Sequence, residues 1–265
     1  MVSCDALAIL SDLPAIRSAE SMADLRRAVA EIRTRLRRGA ELDPTSPADD
    51  FVAARLDQIA ASRTLERAHY YLDRLERSLK EVRTNGVNDI DLNRWHSYTD
   101  VLTDSLWLIE RRDNSGVHCA GYWGNFVPQI PYQMLRRYTR PDEWVLDTFA
   151  GAGTTLIEGQ RLGRHALGIE LQPSVAEEAR RLISAEANPH STVAEVVVAD
   201  SCSVDYRALL ASHGQRSVQL IMMHPPYFDI IRFSDDPRDL SNAGSVEAFL
   251  ERMRQVVERR HVWAT

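Results

Sequence analysis

The chain is predicted to fold as an α/β protein, an open parallel sheet of about four strands preceded by a helical region. Three observations carry that expectation. Val145-Leu-Asp-Thr-Phe-Ala-Gly-Ala-Gly-Thr-Thr155 is an apolar run that ends in an acid and a glycine turn, the form of a strand feeding a helix. Leu220-Ile-Met-Met-His-Pro-Pro-Tyr-Phe228 is a second apolar run, closing in a stiff loop with an aromatic tip. The first hundred or so residues instead repeat apolar side chains at helical spacing. The expected organisation is a helical region over 1–118 and an α/β domain over 119–265.

In the helical region, Met22 to Arg37 places Leu25, Val29, Ile32 and Leu36 on one stripe. A Pro44-Thr-Ser-Pro47 turn separates it from Phe51 to Val82, whose stripe includes Leu56, Ile59, Leu65, Leu72, Leu75 and Leu79. The Tyr70-Tyr71 pair and its arginines read as part of a packed, solvated hairpin in preference to a DNA contact. Trp95, Trp107, Trp123 and Trp144 are assigned to packing.

The α/β elements follow in order. Trp144 to Asp147 forms the first strand, Gly151 and Gly153 turn the backbone without a Cβ in the way, and a helix starts near Thr154. The free N–H groups of that helix suit a carboxylate, a phosphate or an N-cap, and a ligand-free βα turn would look the same. The single lysine is Lys80, so no phosphate-binding lysine follows the glycines, against a nucleotide triphosphatase. Arg164 to Leu171 is a second strand whose Glu170 lies about twenty residues past the turn, where a carboxylate accepts ribose hydroxyls. After a helix over 174–187, Glu195 to Asp200 is a third strand, and Asp200 is placed to accept from an adenine amino group. Each acid alone also fits a solvated strand end; in series with Asp147 they favour an adenosine-bearing ligand. Val218 to Met223 is the fourth strand and Val246 to Glu258 the helix after it, for a strand order of three, two, one, four.

Asp147-Thr-Phe-Ala-Gly-Ala-Gly-Thr-Thr155 followed by His224-Pro-Pro-Tyr227 resembles the amino-methylating DNA methyltransferases over roughly Gly121 to Arg260. The resemblance implies a Rossmann-like methyltransferase sheet and transfer of a methyl group from S-adenosylmethionine to N4 of cytosine or N6 of adenine in double-stranded DNA. It implies that Phe149, Gly151 and Gly153 line the methionine side of the cofactor, that Glu170 holds the ribose, and that Asp200 or Ser201 meets the adenine. Gly124-Asn-Phe-Val-Pro-Gln-Ile-Pro131, with Asn125 and Phe126, is similar to the segment that closes over the methionine carboxylate. His224, Pro225, Pro226 and Tyr227 become the catalytic loop. No metal is called for. The family carries Asp, Asn or Ser where this chain has His224. The continuation Asp229-Ile-Ile-Arg-Phe-Ser234 is similar to the cytosine-directed members, which sets N4 of cytosine slightly ahead.

An RNA or protein amino-methyltransferase, or an inactive or split subunit that only binds cofactor, are the alternatives. A sheet of the resembling type has seven strands and four are placed here, so the chain is expected to be truncated at its C-terminus or to be part of a split enzyme. Its fourth strand would then pair with a second polypeptide or a second copy. Across 265 residues the formal charge of −6 is not segregated, no run is apolar enough to span a membrane, and the three cysteines follow no pairing pattern, which together point to the cytoplasm.

Overall fold

The computed structural model describes residues 4–40, 47–95, 98–119, 121, 124–125 and 127–258. They divide into two compact units, 1–85 with 90–101 and 86–89 with 102–265. Residues 102–118 thus go with the second unit.

The first unit is built on four helices: α1 (Cys4–Arg17), α2 (Met22–Ala40), α3 (Pro47–Ala60) and α4 (Leu65–Lys80). The stripes read from the sequence form one core in which Leu25, Ile32, Leu56, Ile59, Leu72 and Leu75 are fully enclosed. Two features add to the expectation. Helix α1 contributes Ile9, Leu13 and Ile16 to the same core despite Pro14 within it. The stretch from Phe51 to Val82 is two helices, because the Thr64 hydroxyl caps α4 by accepting the Arg67 N–H at 3.2 Å. Of the expected Pro44–Pro47 turn, residues 44–46 lie outside the described residues, and Pro47 opens α3. Between Lys80 and Gln129 the described residues form neither α-helix nor strand, so the helices of this region end well before residue 118.

The second unit carries α5 (Gln129–Tyr138), β1 (Trp144–Asp147), α6 (Thr154–Arg161), β2 (His165–Glu170), α7 (Pro173–Ala185), β3 (Ala194–Val198), α8 (Tyr206–Ser212), β4 (Leu220–Met222) and α9 (Val246–Glu258). The strands form one parallel sheet in the expected order β3-β2-β1-β4, with Leu146 opposite Leu167 and Ile221. Alternation along the strands sorts side chains to two faces. Val145, Ala166 and Val196 pack under α5, α6 and α7, while Leu146, Leu167 and Ile169 pack with Tyr206 and Leu210 of α8. The strand tips β1, β2 and β4 therefore open at one end of a sheet covered on both faces.

Polar ties fix the margins of this unit. Buried Arg164 donates to Asp89 at 3.1 Å, to the Thr139 carbonyl at 2.8 Å and to the Leu162 carbonyl at 2.6 Å. Asn88 donates to the Arg137 carbonyl at 2.7 Å, and Arg136 pairs with Asp89 at 3.1 Å. The irregular segment before α5 is held by a second group. His118 Nε2 lies 2.6 Å from Glu158 Oε1, both side chains buried, and Arg161 joins Glu158 at 3.1 Å to Glu186 at 2.9 Å.

Candidate functional site

At the carboxyl ends of β1, β2 and β4 a single cavity is lined by Asn125, Asp147, Phe149, Gly151, Thr154, Glu170, Asp200, Ser201 and the loop His224 to Tyr227. The two sequence segments, some seventy residues apart, thus face one space because β4 pairs directly with β1: the Thr148 N–H donates to the Met222 carbonyl at 3.1 Å.

The turn after β1 is organised by carboxylates. Asp147 Oδ1 accepts the Phe149 N–H at 3.0 Å, and burial pushes its carboxyl up to about 6. The Thr155 hydroxyl offsets part of that push from just outside hydrogen-bond geometry; it is buried in the cavity lining with no hydrogen-bond partner. Glu170 accepts the Gly151 N–H at 3.0 Å through one oxygen and the Gln172 N–H at 2.8 Å through the other, and burial raises its pKa as well. Each oxygen has a second lone pair, so two ligand hydroxyls remain acceptable. Asp200 Oδ1 accepts the Cys202 N–H at 2.9 Å, and the Ser201 hydroxyl donates to the Thr148 carbonyl. The Thr154 hydroxyl donates to Asn125 Oδ1 at 2.6 Å, bringing the segment before α5 to the start of α6.

Two expected cofactor residues are placed differently or not placed. Gly153 does not line the cavity. Its φ of 79° makes the left-handed turn into α6, and a Cβ there would come within 3.2 Å of Ile183 on α7, so the glycine serves helix packing. Phe126 lies outside the described residues, as do Trp123 and the C-terminal stretch 259–265.

The loop after β4 carries His224, whose Nε2 lies 2.7 Å from the Tyr227 hydroxyl. Burial holds this imidazole below its ordinary pKa, which favours its neutral form. Tyr227 is 58% exposed at the mouth of the cavity. Phe228 does not share that exposure: at φ 53° it turns its ring edge-on to Phe249 of α9, with centroids 5.9 Å apart. It anchors the loop on α9.

The sequence reading missed the roof. Residues 230–240 fold over the cavity and contribute Ile230, Phe233, Arg238, Asp239 and Leu240. Buried Asp239 organises them, accepting the Ser241 N–H at 2.9 Å, the Ser241 hydroxyl at 2.8 Å and the Ser234 hydroxyl at 2.6 Å. Ser241 in turn accepts the Phe233 N–H at 3.2 Å, and the Phe233 ring lies so close to Gly124 that a Cβ there would stand 2.9 Å away. The signal present in the sequence was Asp239 two residues before Ser241, an N-cap pattern.

A DNA methylase family profile (the N6/N4 methylases) matches residues 74–181, which include the glycine turn and Glu170. The type II methyltransferase M.MjaII of Methanocaldococcus jannaschii is 34% identical over 75 residues, covering 28% of this chain and 14% of that protein. M.MthZI of Methanothermobacter thermautotrophicus, also a type II methyltransferase, is 32% identical over 79 residues, covering 30% of this chain and 21% of that protein. The chain therefore spans a minor part of these relatives. A crystal structure of Thermoplasma acidophilum 1320 aligns with 42% of this chain and 46% of its own at 18% identity and a TM-score of 0.26. Among the described residues no helix is long and apolar enough to cross a membrane.

Proposed function

We propose that this chain transfers a methyl group from S-adenosylmethionine to an exocyclic amino group of a DNA base, with N4 of cytosine ahead of N6 of adenine. The observation that carries the reading is the single cavity shared by the glycine turn, its strand-end acids and the His224-Pro225-Pro226-Tyr227 loop. The DNA methylase profile and the likeness to type II methyltransferases support it.

The lining fits the cofactor by charge. Asp147, Glu170, Asp200 and Asp239 outnumber Arg238 in it, which suits a ligand bearing a sulfonium and an ammonium and disfavours a phosphate-bearing nucleotide. Glu170 would hold the ribose, Asp200 or Ser201 the adenine, and Gly151, Phe149, Asn125 and Thr154 the methionine end. Bound there, the cofactor supplies an electrophilic methyl group.

The loop after β4 supplies what the acceptor needs. An exocyclic amine on a base is a poor nucleophile because its lone pair is delocalised into the ring. The Pro225 carbonyl, stiffened by Pro226, would accept one amine hydrogen, and neutral His224 takes the place of the usual acidic, amide or hydroxyl side chain. Tyr227, exposed and braced by His224, offers a stacking face to a base that has left the duplex. The same reading puts the protein in the cytoplasm with double-stranded DNA as its partner. It also has a second polypeptide or a second copy extend the sheet beyond β4, which supports this by pairing with β1 alone among the strands.

The test is incubation with labelled S-adenosylmethionine and duplex DNA, followed by digestion to nucleosides. N4-methylcytosine is expected. Label in N6-methyladenine would overturn the base preference, and a chain that binds the cofactor yet labels RNA or protein in place of DNA would overturn the substrate.

A further inference from the structure

On α4 the charges are sorted by direction. Asp73 and Glu76 point to Arg17 of α1, at 2.6 and 2.7 Å, and Glu76 also takes Lys80. Arg67 and Arg74 lie on a different side and meet no carboxylate among the described residues. They bracket a ring instead: the Arg67 guanidinium stands 5.1 Å from the centre of Tyr70 and 4.7 Å from that of Tyr71, and Arg74 stands 6.0 Å from Tyr70. Tyr71 packs inward and accepts from Arg67 Nε at 3.1 Å, while Tyr70 stays 46% exposed. On α3, Arg55 lies over Phe51 at 5.3 Å and bonds Gln58 at 3.0 Å, again without a carboxylate. Burial, with repulsion from Arg74, lowers its pKa. Three cations therefore crowd one surface of the helical unit, while Asp73 and Glu76 of α4 are taken by Arg17 and Lys80.

We propose that Arg55, Arg67, Tyr70 and Arg74 form a contact surface for the sugar-phosphate backbone of DNA. A guanidinium accepts two phosphate oxygens in a fixed fork, and stacking on the tyrosines orders Arg67 and Arg74 before the contact forms, so less side-chain freedom is lost on binding. Seven residues separate Arg67 from Arg74, roughly 10 Å of helix axis, so the two guanidinia reach different phosphates of a chain and not one small anion. The exposed ring of Tyr70 between them adds an apolar face for a sugar. An anion here also relieves the repulsion between Arg55 and Arg74. The hairpin is packed as expected through Tyr71, and the proposal takes up the DNA contact that was the weaker alternative for Tyr70 and its arginines.

The proposal extends the DNA reading, and binding can be measured without methyl transfer. Fluorescence anisotropy of a labelled duplex, titrated with the full chain at several salt concentrations, compares the wild type with Arg55→Ala/Arg67→Ala/Arg74→Ala. The triple variant should bind about 10-fold or more weakly, and its slope of log affinity against log salt should shrink by about 2–3, near 0.9 for each phosphate no longer neutralised. Tyr70→Ala should weaken binding with little change in slope. Because Arg67 and Arg74 are exposed, Arg67→Glu and Arg74→Glu repeat the test with no demand on folding, which thermal melting checks. Unchanged affinity and slope in folded variants would overturn the surface, even in a chain that methylates DNA. Lost duplex binding in a chain that methylates no DNA would keep the surface and remove the catalytic reading.

Discussion

Asp147 carries an electrostatic cost, since it is buried with one backbone N–H and a nearby hydroxyl for company, whereas Glu170, its pKa also raised by burial, accepts two backbone N–H groups. Its carboxyl, moved from 3.8 to about 6, penalises the folded state above that pH by an amount on the order of 2–3 kcal/mol at most, and the penalty fades as acid protonates the folded form first. Asp147→Asn should therefore raise stability to urea at pH 8, with the gain falling to about half near pH 5 and vanishing only below the ordinary carboxylate range, and should weaken S-adenosylmethionine binding because a cationic ligand loses one opposing charge. Equal stability of the two proteins at both pH values would show that the charge is not penalised. At His224 the sign is the opposite. The lowered pKa keeps the imidazole neutral as pH falls, so methyl transfer should hold through neutrality and drop only on further acidification, while His224→Asn or His224→Ser should keep or improve it. A rate that rises with acid would assign the charged form. Tyr227→Ala should lower transfer by about 10- to 100-fold, from a stacking contribution of about 1–3 kcal/mol, with little change in cofactor affinity. Glu170→Ala should do the reverse, weakening the cofactor most, as calorimetry would show.

The elements that hold these residues differ in how far they could be read from the chain. The β1 turn was legible because its chemistry is local: an apolar run, an acid and glycines two apart dictate strand, turn and helix whatever surrounds them. The strand order was legible for a similar reason, since each strand is an apolar block closed by a polar tip. Thr64 escaped notice because the apolar stripe runs on through the break, and only the short turn at 61–64, closed by the capping bond, separates α3 from α4. Asp239 and Phe233 were illegible as site residues, because their position depends on α9 and the turn at 240–242 closing back over β1, a long-range event without periodicity. The packing of Phe228 was illegible on the same ground: its neighbour in sequence is exposed, but its left-handed backbone aims it at Phe249. Asn125 was expected at the cofactor by resemblance and lines the cavity; what the sequence did not show is that its segment is tethered by His118 and Glu158. His118→Ala takes one hydrogen-bond partner from a buried carboxylate and leaves it Arg161, so urea unfolding should report a loss of about 1–3 kcal/mol. A loss under about 0.5 kcal/mol would mean that Arg161 alone satisfies Glu158.

At the level of the whole molecule, β4 is an edge of the sheet among the described residues, and Met223 just past its end is 38% exposed. Unpaired edges template further strands, so the protein should associate at micromolar concentration in sedimentation experiments, and Met223→Lys should shift it toward the monomer. A monomer at every concentration, with or without the lysine, would refute pairing through that edge. The path of the chain between its two units has a different kind of consequence. It passes from one to the other at 85–86, returns at 89–90 and passes again at 101–102, and the short middle visit delivers Asp89 to the buried guanidinium of Arg164. The helical unit is therefore not a cassette that recombination can exchange by one crossover. A chimera joined at residue 102 would inherit Arg164 without Asp89 and Arg140 without the Gly86 carbonyl that it bonds, whereas one that keeps 86–101 inherits the whole clasp. Inheritance of the two units is coupled by four residues that belong, by sequence neighbourhood, to the wrong half.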